Sequence, residues 1–199
     1  MPNWCYTNYK IQGDQESLEA LDKVISTMKA IPEPYIPNGF GNLWLGCLVA
    51  ILGGSSDKIY CRGQILEYEK KDGMITMEIE SAWSEPSEVR KFIKKKLPGL
   101  KIYYQSEESG MCIFETNDKD GAYFPEKWIL DWCDEKKNLY LYEYFEDLPA
   151  VVAYLKEYGV ITKDVEATKE AITAALEELQ EQRPDDISFM FEEFKVLED

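Results

Sequence analysis

The stretch from Lys58 to Leu97 most constrains what this chain can fold into. Two β-rich runs, Lys58–Glu69 and Met74–Trp83, flank Lys70-Lys71-Asp72-Gly73. Asp-Gly between such runs marks a tight hairpin turn, because the turn needs positive φ and glycine supplies it freely. In the second run Ile75, Met77, Ile79 and Ser81 alternate with Thr76, Glu78, Glu80 and Ala82, which predicts one buried face and one wet face. The run then enters a helix through Ser84-Glu85-Pro86. Ser84 is the expected N-cap, and Pro86 fits the first turn, where its missing N–H costs nothing. Val89, Phe92, Ile93 and Leu97 give that helix an apolar stripe. Pro98-Gly99 ends it, and Lys91 and Lys94 to Lys96 sit where exposed carbonyls favour cations.

The flanking segments complete a pattern. Asn3 to Gln12 reads as a strand with Cys5, Thr7, Tyr9 and Ile11 on one face, and Asp14 can cap a helix carrying Leu18, Leu21, Ile25 and Met28. Three prolines make Ile31 to Asn42 a loop, and Leu43 to Leu52 reads as a short buried helix stopped by Gly53-Gly54. Lys101–Gln105 and Met111–Thr116 read as strands around a turn at Glu107–Gly110. A β-α-β-β-α-β series is the split βαβ plan: one antiparallel sheet with two helices on one face.

Trp128–Trp132 and Leu139–Phe145 read as additional strands extending that sheet, the second with Tyr140, Tyr142 and Tyr144 on one side. Helices are expected from Asp147-Leu148-Pro149 to Gly159, with Val151, Val152 and Leu155 inward, and from Thr162 to Gln182. Ile187, Met190, Phe191, Phe194 and Leu197 are spaced for a last amphipathic helix, although their aromatic content leaves a strand open. The expected class is α+β. Residues 1–117 form one domain, and 118–199 form an acidic C-terminal elaboration of two strands and then helices, packed on it.

Chemistry is bounded by what the 199 residues lack. There is no histidine, which removes the usual general base, His-ligated zinc and Ser–His or Cys–His pairs. Five scattered cysteines never form C-x-x-C, so free buried thiols in a reducing compartment are expected, and no cofactor or metal set is implied. The N-terminus has neither a basic region nor an apolar signal core, and no apolar run is long enough for a membrane span; a cytoplasmic protein is the expectation. Net charge is −16, and it is uneven: residues 117–199 hold 22 acidic against 9 basic side chains. Such a surface disfavours direct binding to a phosphate backbone and suits a basic protein partner.

Several short strings occur together in a telling order: Asn3-Trp4-Cys5 with Asn8, then Ser81-Ala82-Trp83-Ser84-x-Pro86, then Glu108-x-Gly110 before Phe114. Over about residues 1–117 they resemble the uncharacterised ferredoxin-like family typified by the plasmid protein YubB and related phage proteins. The resemblance implies the same split βαβ sheet and an origin on mobile elements. It brings no activity to transfer, and since the cysteines lack iron–sulfur spacing it implies no cluster.

Trp4, Arg62 and Trp83 are the first candidates for a ligand or partner site, since aromatics at strand ends beside a guanidinium can stack on a planar group. Tyr104, with Tyr103, is a further candidate on the pattern of sheets that stack single-stranded bases. Glu107, Glu108, Asp118 and Asp120 read as solvated loop acids, because their spacing fits no calcium loop. The leading expectation is a non-catalytic protein-interaction or regulatory protein. Two alternatives stand beside it: an acidic mimic of DNA that inhibits a nucleic-acid-binding protein, and a small-ligand binder or enzyme with a pocket near Trp4, Arg62 and Trp83.

Overall fold

The computed structural model describes residues 3–198. The fold is α+β, and the chain divides into two compact units: one runs to Asp118 and takes in the terminal segment from Val196, and the other is Lys119–Lys195.

In chain order the first unit holds β1 (Trp4–Gly13), α1 (Gln15–Ala30), α2 (Leu45–Ile51), β2 (Gly63–Lys71), β3 (Met74–Ala82), α3 (Ser87–Lys96), β4 (Leu100–Glu108) and β5 (Ile113–Thr116). β1 is the central strand. It pairs antiparallel with β3, from Trp4 opposite Ala82 to Gln12 opposite Met74, and with β4, from Tyr6 opposite Glu107 to Gly13 opposite Leu100. The sheet order is β2-β3-β1-β4-β5, with a two-residue strand Lys195–Val196 (β9) beyond β5. Asp72 and Gly73 both adopt positive φ, 52° and 76°, as the Asp-Gly hairpin requires.

Alternation then sorts the side chains. Tyr9, Ile11, Ile75, Met77, Ile79, Ile102 and Tyr104 share one face and one core with Leu21, Ile25 and Met28 of α1, Leu45, Leu48 and Val49 of α2, and Val89 and Ile93 of α3. Each fully buried aliphatic side chain here contributes about 1.5–3 kcal/mol relative to exposure. Asp14 caps α1 as expected, its Oδ1 accepting the Ser17 N–H at 2.8 Å. α3 departs from expectation. Its N-cap position is Pro86, with no side-chain cap, while the Ser84 carbonyl accepts a hydrogen bond from Ser81 Oγ (2.8 Å). β2 likewise begins only at Gly63: residues 58–59 lie in a turn and bend, and residues 60–62 belong to no strand.

The second unit contains β6 (Trp128–Asp134), β7 (Leu139–Phe145), α4 (Leu148–Glu157), α5 (Lys169–Gln182) and β8 (Ile187–Glu193). These strands do not extend the first sheet; they form a separate antiparallel sheet in the order β7-β6-β8. The expected last helix is therefore a strand and a short tail. Ile187–Phe194 satisfies helical spacing and strand alternation at once, and pairing with β6 decides between them. Phe191 stacks on Trp128 (5.4 Å) and Phe189 lies tilted against Trp132 (6.2 Å), contacts an isolated helix would forgo. α5 starts at Lys169 rather than Thr162, where the Thr168 hydroxyl accepts the Ala171 N–H at 3.2 Å. Trp128, Leu130 and Trp132 bury one face of β6 against Val151, Leu155, Ile172 and Leu176. Among the described residues, no helix is long and apolar enough to cross a membrane.

A fork of two hydrogen bonds ties this unit together. Arg183 donates from both terminal nitrogens to the buried Asp134 carboxylate, at 2.9 and 2.6 Å. Those bonds hold the Asp134 carboxyl below its usual range. A lowered folded-state pKa means the stabilisation is present above the unfolded carboxylate value and fades as pH falls through the folded one. We expect Arg183→Gln to lower Tm at pH 7 and to differ much less from the parent at pH 3; an equal deficit at both pH values would contradict this.

Candidate functional site

At one end of the first unit's sheet, chain segments that are far apart in sequence meet. The Trp83 N–H donates to the Asn3 carbonyl (2.9 Å), and Ala82 N–H donates to the Arg62 carbonyl (2.9 Å). Trp83 is the centre of a three-residue turn closed by the Ser84 N–H on the Ala82 carbonyl (3.0 Å), and it holds φ at 76°. Positive φ is an outlier for so bulky a residue, and the neighbouring bonds must impose it. Gly110 lies against the same end: a Cβ there would come within 2.7 Å of Asn3 Nδ2. Glu108 is not a solvated loop acid. It is buried, and its carboxylate accepts the N–H groups of Gly110 (2.9 Å) and Met111 (2.8 Å).

Beneath this end lies a buried polar network. Glu85 accepts a hydrogen bond from the Tyr9 hydroxyl and from Arg90 Nε (2.9 Å), and the Arg90 guanidinium lies over the Tyr104 ring at 4.7 Å. Burial, and then the Glu85 charge, push the Tyr9 hydroxyl well above its ordinary range. Burial likewise pushes the Cys5 thiol up to about 11, with Glu85, Glu108 and Glu115 adding to the shift. A thiol held protonated in this way is a poor nucleophile.

The sequence candidates are thus only partly united. The backbones of Trp4, Arg62 and Trp83 converge, but among the described residues no ring or cation–π contact joins their side chains. Trp83 is exposed, Trp4 is half-buried, and the exposed Arg62 side chain lines a groove that neither tryptophan borders. Tyr104 is 2% exposed, so it is a core residue stacked on Arg90 rather than a platform for a ligand. Strand parity is the reason: Ile102 and Tyr104 point inward, and Lys101 and Tyr103 point outward.

The most accessible aromatic surface lies in the second unit. β7 is an edge strand, and Tyr140, Tyr142 and Tyr144 project from the face opposite the core. Exposure rises along the row from half-buried Tyr144 through Tyr142 (47%) to Tyr140 (63%). Tyr142 meets Tyr144 edge-on (5.8 Å, 86°), and Tyr144 leans on Phe194 (6.2 Å), so the row is held from one end. Directly opposite Tyr142 on β6 is Asp131. Burial raises its carboxyl above the usual range, and among the described residues it has no ion-pair partner. The unit around it carries 19 acidic against 9 basic side chains. The alternation in Leu139–Phe145 signals the row in sequence, but nothing local signals that Asp131 would lie beside it. Compared with models of known families, with curated proteins and with solved structures, the chain matches none.

Two outcomes follow from these environments. Removing one member of a buried ion pair strands the other, so Arg90→Met should cost about 3–5 kcal/mol in urea unfolding, and Glu85→Leu/Arg90→Met much less than the sum of its single changes; additive losses would contradict a coupled pair. A raised carboxyl pKa disfavours the charged form in the folded state, so stability falls as pH climbs from the unfolded value through the folded one. Asp131→Asn should therefore raise Tm at pH 7 and lose that advantage in acid; a lower Tm at pH 7 would show that the charge is already compensated.

Proposed function

We propose that this chain is a non-catalytic interaction protein that binds an extended, arginine-bearing segment of another protein on the tyrosine face of its second unit. The observation that carries this reading is the exposed Tyr140–Tyr142 row on the edge strand β7, beside the half-buried Asp131 of the central strand β6, which has no ion-pair partner among the described residues. Tyrosine offers a large, rigid contact area with little side-chain entropy to lose, and its face attracts a planar guanidinium. The Asp131 carboxylate supplies the counter-charge, and the excess of acids in the unit steers a basic segment toward it. An edge strand adds backbone pairing for an extended chain, leaving specificity to alternate side chains.

The first unit fits within the same proposal as a ferredoxin-like, split βαβ module of the YubB-like kind. Support comes from the order β2-β3-β1-β4, from α1 and α3 sharing the core with one sheet face, and from the meeting of Asn3, Trp83 and Gly110, which belong to the three strings that carry the resemblance.

Fluorescence anisotropy with labelled peptides of alternating arginine and valine, or glutamate and valine, tests the interaction. The arginine peptide should bind more tightly as salt is lowered, the glutamate peptide should not bind, and Tyr140→Ala/Tyr142→Ala should weaken binding about tenfold or more. Equal binding of both peptides, or an unaffected double variant, would overturn the proposal.

A further inference from the structure

The first unit contains a separate groove of about 560 Å³, within the range of small-molecule sites, between the proline-rich loop and the Gly53–Arg62 connection. Its aromatic wall is held rigidly. The Asn38 side chain accepts the N–H groups of Phe40 (2.6 Å) and Gly41 (2.8 Å) and donates to the carbonyls of Ile36 (2.7 Å) and Gly41 (3.2 Å), which fixes the loop that presents Phe40. Trp44 bridges to Gln64 on the outer edge of β2, and the Ile65 N–H donates to the Leu43 carbonyl (2.9 Å). The indole lies across Gly46, where any Cβ would come within 2.3 Å of the ring. Held from both sides, the Phe40 and Trp44 rings stack nearly parallel, 7° apart with centroids at 6.5 Å. Tyr60, half-exposed, lines the same groove.

Charge of both signs lines the groove too. Lys58 and Arg62 are exposed, and among the described residues neither side chain has an ion-pair or hydrogen-bond partner. Both cations border one groove in a chain with 38 acidic against 22 basic side chains. Glu88 is anchored by accepting the Tyr60 N–H at 2.8 Å, and Asp57 is exposed on the rim. Below them the Cys61 thiol is pushed up to about 11 by burial and then by Glu88, so it plays no nucleophilic part.

We propose that this groove binds a small aromatic zwitterion, its ring against the Phe40–Trp44 wall, its carboxylate on Lys58 and Arg62, and its ammonium on Asp57 and Glu88. The stacked wall needs no reorganisation to receive a planar ring, so little ordering cost opposes binding. The guanidinium fork suits a carboxylate, while a ligand of one sign alone would leave half of the lining charge unanswered. The site is independent of the tyrosine face of the second unit.

The test is calorimetric titration of the full chain with L-tryptophan, indole-3-propionate, which lacks the amine, and tryptamine, which lacks the carboxylate. L-tryptophan should bind about tenfold more tightly than either analogue. Lys58→Gln/Arg62→Gln, at two exposed positions outside the core, should weaken L-tryptophan and indole-3-propionate by about tenfold and leave tryptamine unchanged. Indole-3-propionate binding as tightly as L-tryptophan, a double variant that binds like the parent, or no binding of L-tryptophan at millimolar concentration would each overturn the proposal.

Discussion

The double pairing of β1 is the constraint on which the first unit rests. A strand bonded on both sides cannot slip by one residue without turning Cys5, Thr7, Tyr9 and Ile11 out of the core and Tyr6, Asn8 and Lys10 into it. Its register therefore fixes which residues of β3 and β4 face the helices. It also fixes where the strand ends meet, bringing Asn3 to Trp83 and setting Tyr9 within reach of Glu85. The Glu85–Arg90 pair answers a problem this register creates. The core face of the sheet ends in polar residues, Thr7, Ser81 and Ser106, all buried, and a paired guanidinium can close that end without an orphaned charge.

Cations are outnumbered in this chain, 22 against 38 acids, and several of them are committed to the structure. Arg90 and Arg183 are committed to buried carboxylates. Lys169 spans Glu192 and the Trp128 ring. Lys58 and Arg62 are committed to nothing among the described residues, and they border one groove. Acids show the inverse pattern. Asp134 is matched by an arginine, whereas Asp131, on the same strand but the opposite face, is desolvated without a partner. Asp131 is half-buried, and a carboxylate partly withdrawn from water without a compensating charge costs stability, which is consistent with the interaction proposed for the tyrosine face.

Much of the first unit was legible because its local signals agree with one another. Asp72-Gly73 dictates a positive-φ turn, alternation in β3 dictates a face, and Leu18, Leu21, Ile25 and Met28 can share a surface only on a helix. The second unit was harder for a physical reason. Strand partners are set by contacts far apart in sequence, so Trp128–Asp134 and Leu139–Phe145 were readable as strands but not as belonging to a sheet of their own. Ile187–Phe194 fits two periodicities, and the rings of Trp128 and Trp132 settle it from more than fifty residues away. For the sites, parity alone would have placed Tyr104 inside. Arg62 was legible as a cation near aromatics, but the aromatics that share its groove, Phe40 of the proline-rich loop and Trp44 at the N-cap of α2, lie about twenty residues away in sequence and carry no signal of that meeting.

The central claim is that recognition runs through the β7 tyrosine row, and its most direct test is a map of where a basic segment lands. Titrating the isotope-labelled chain with the arginine–valine peptide should move backbone amide resonances of Tyr140, Tyr142 and Asp131 first and furthest, at peptide concentrations where α5 and the first unit stay unchanged. Perturbations spread over the acidic helices, or confined to the first unit, with Tyr140 and Tyr142 unmoved, would contradict the account.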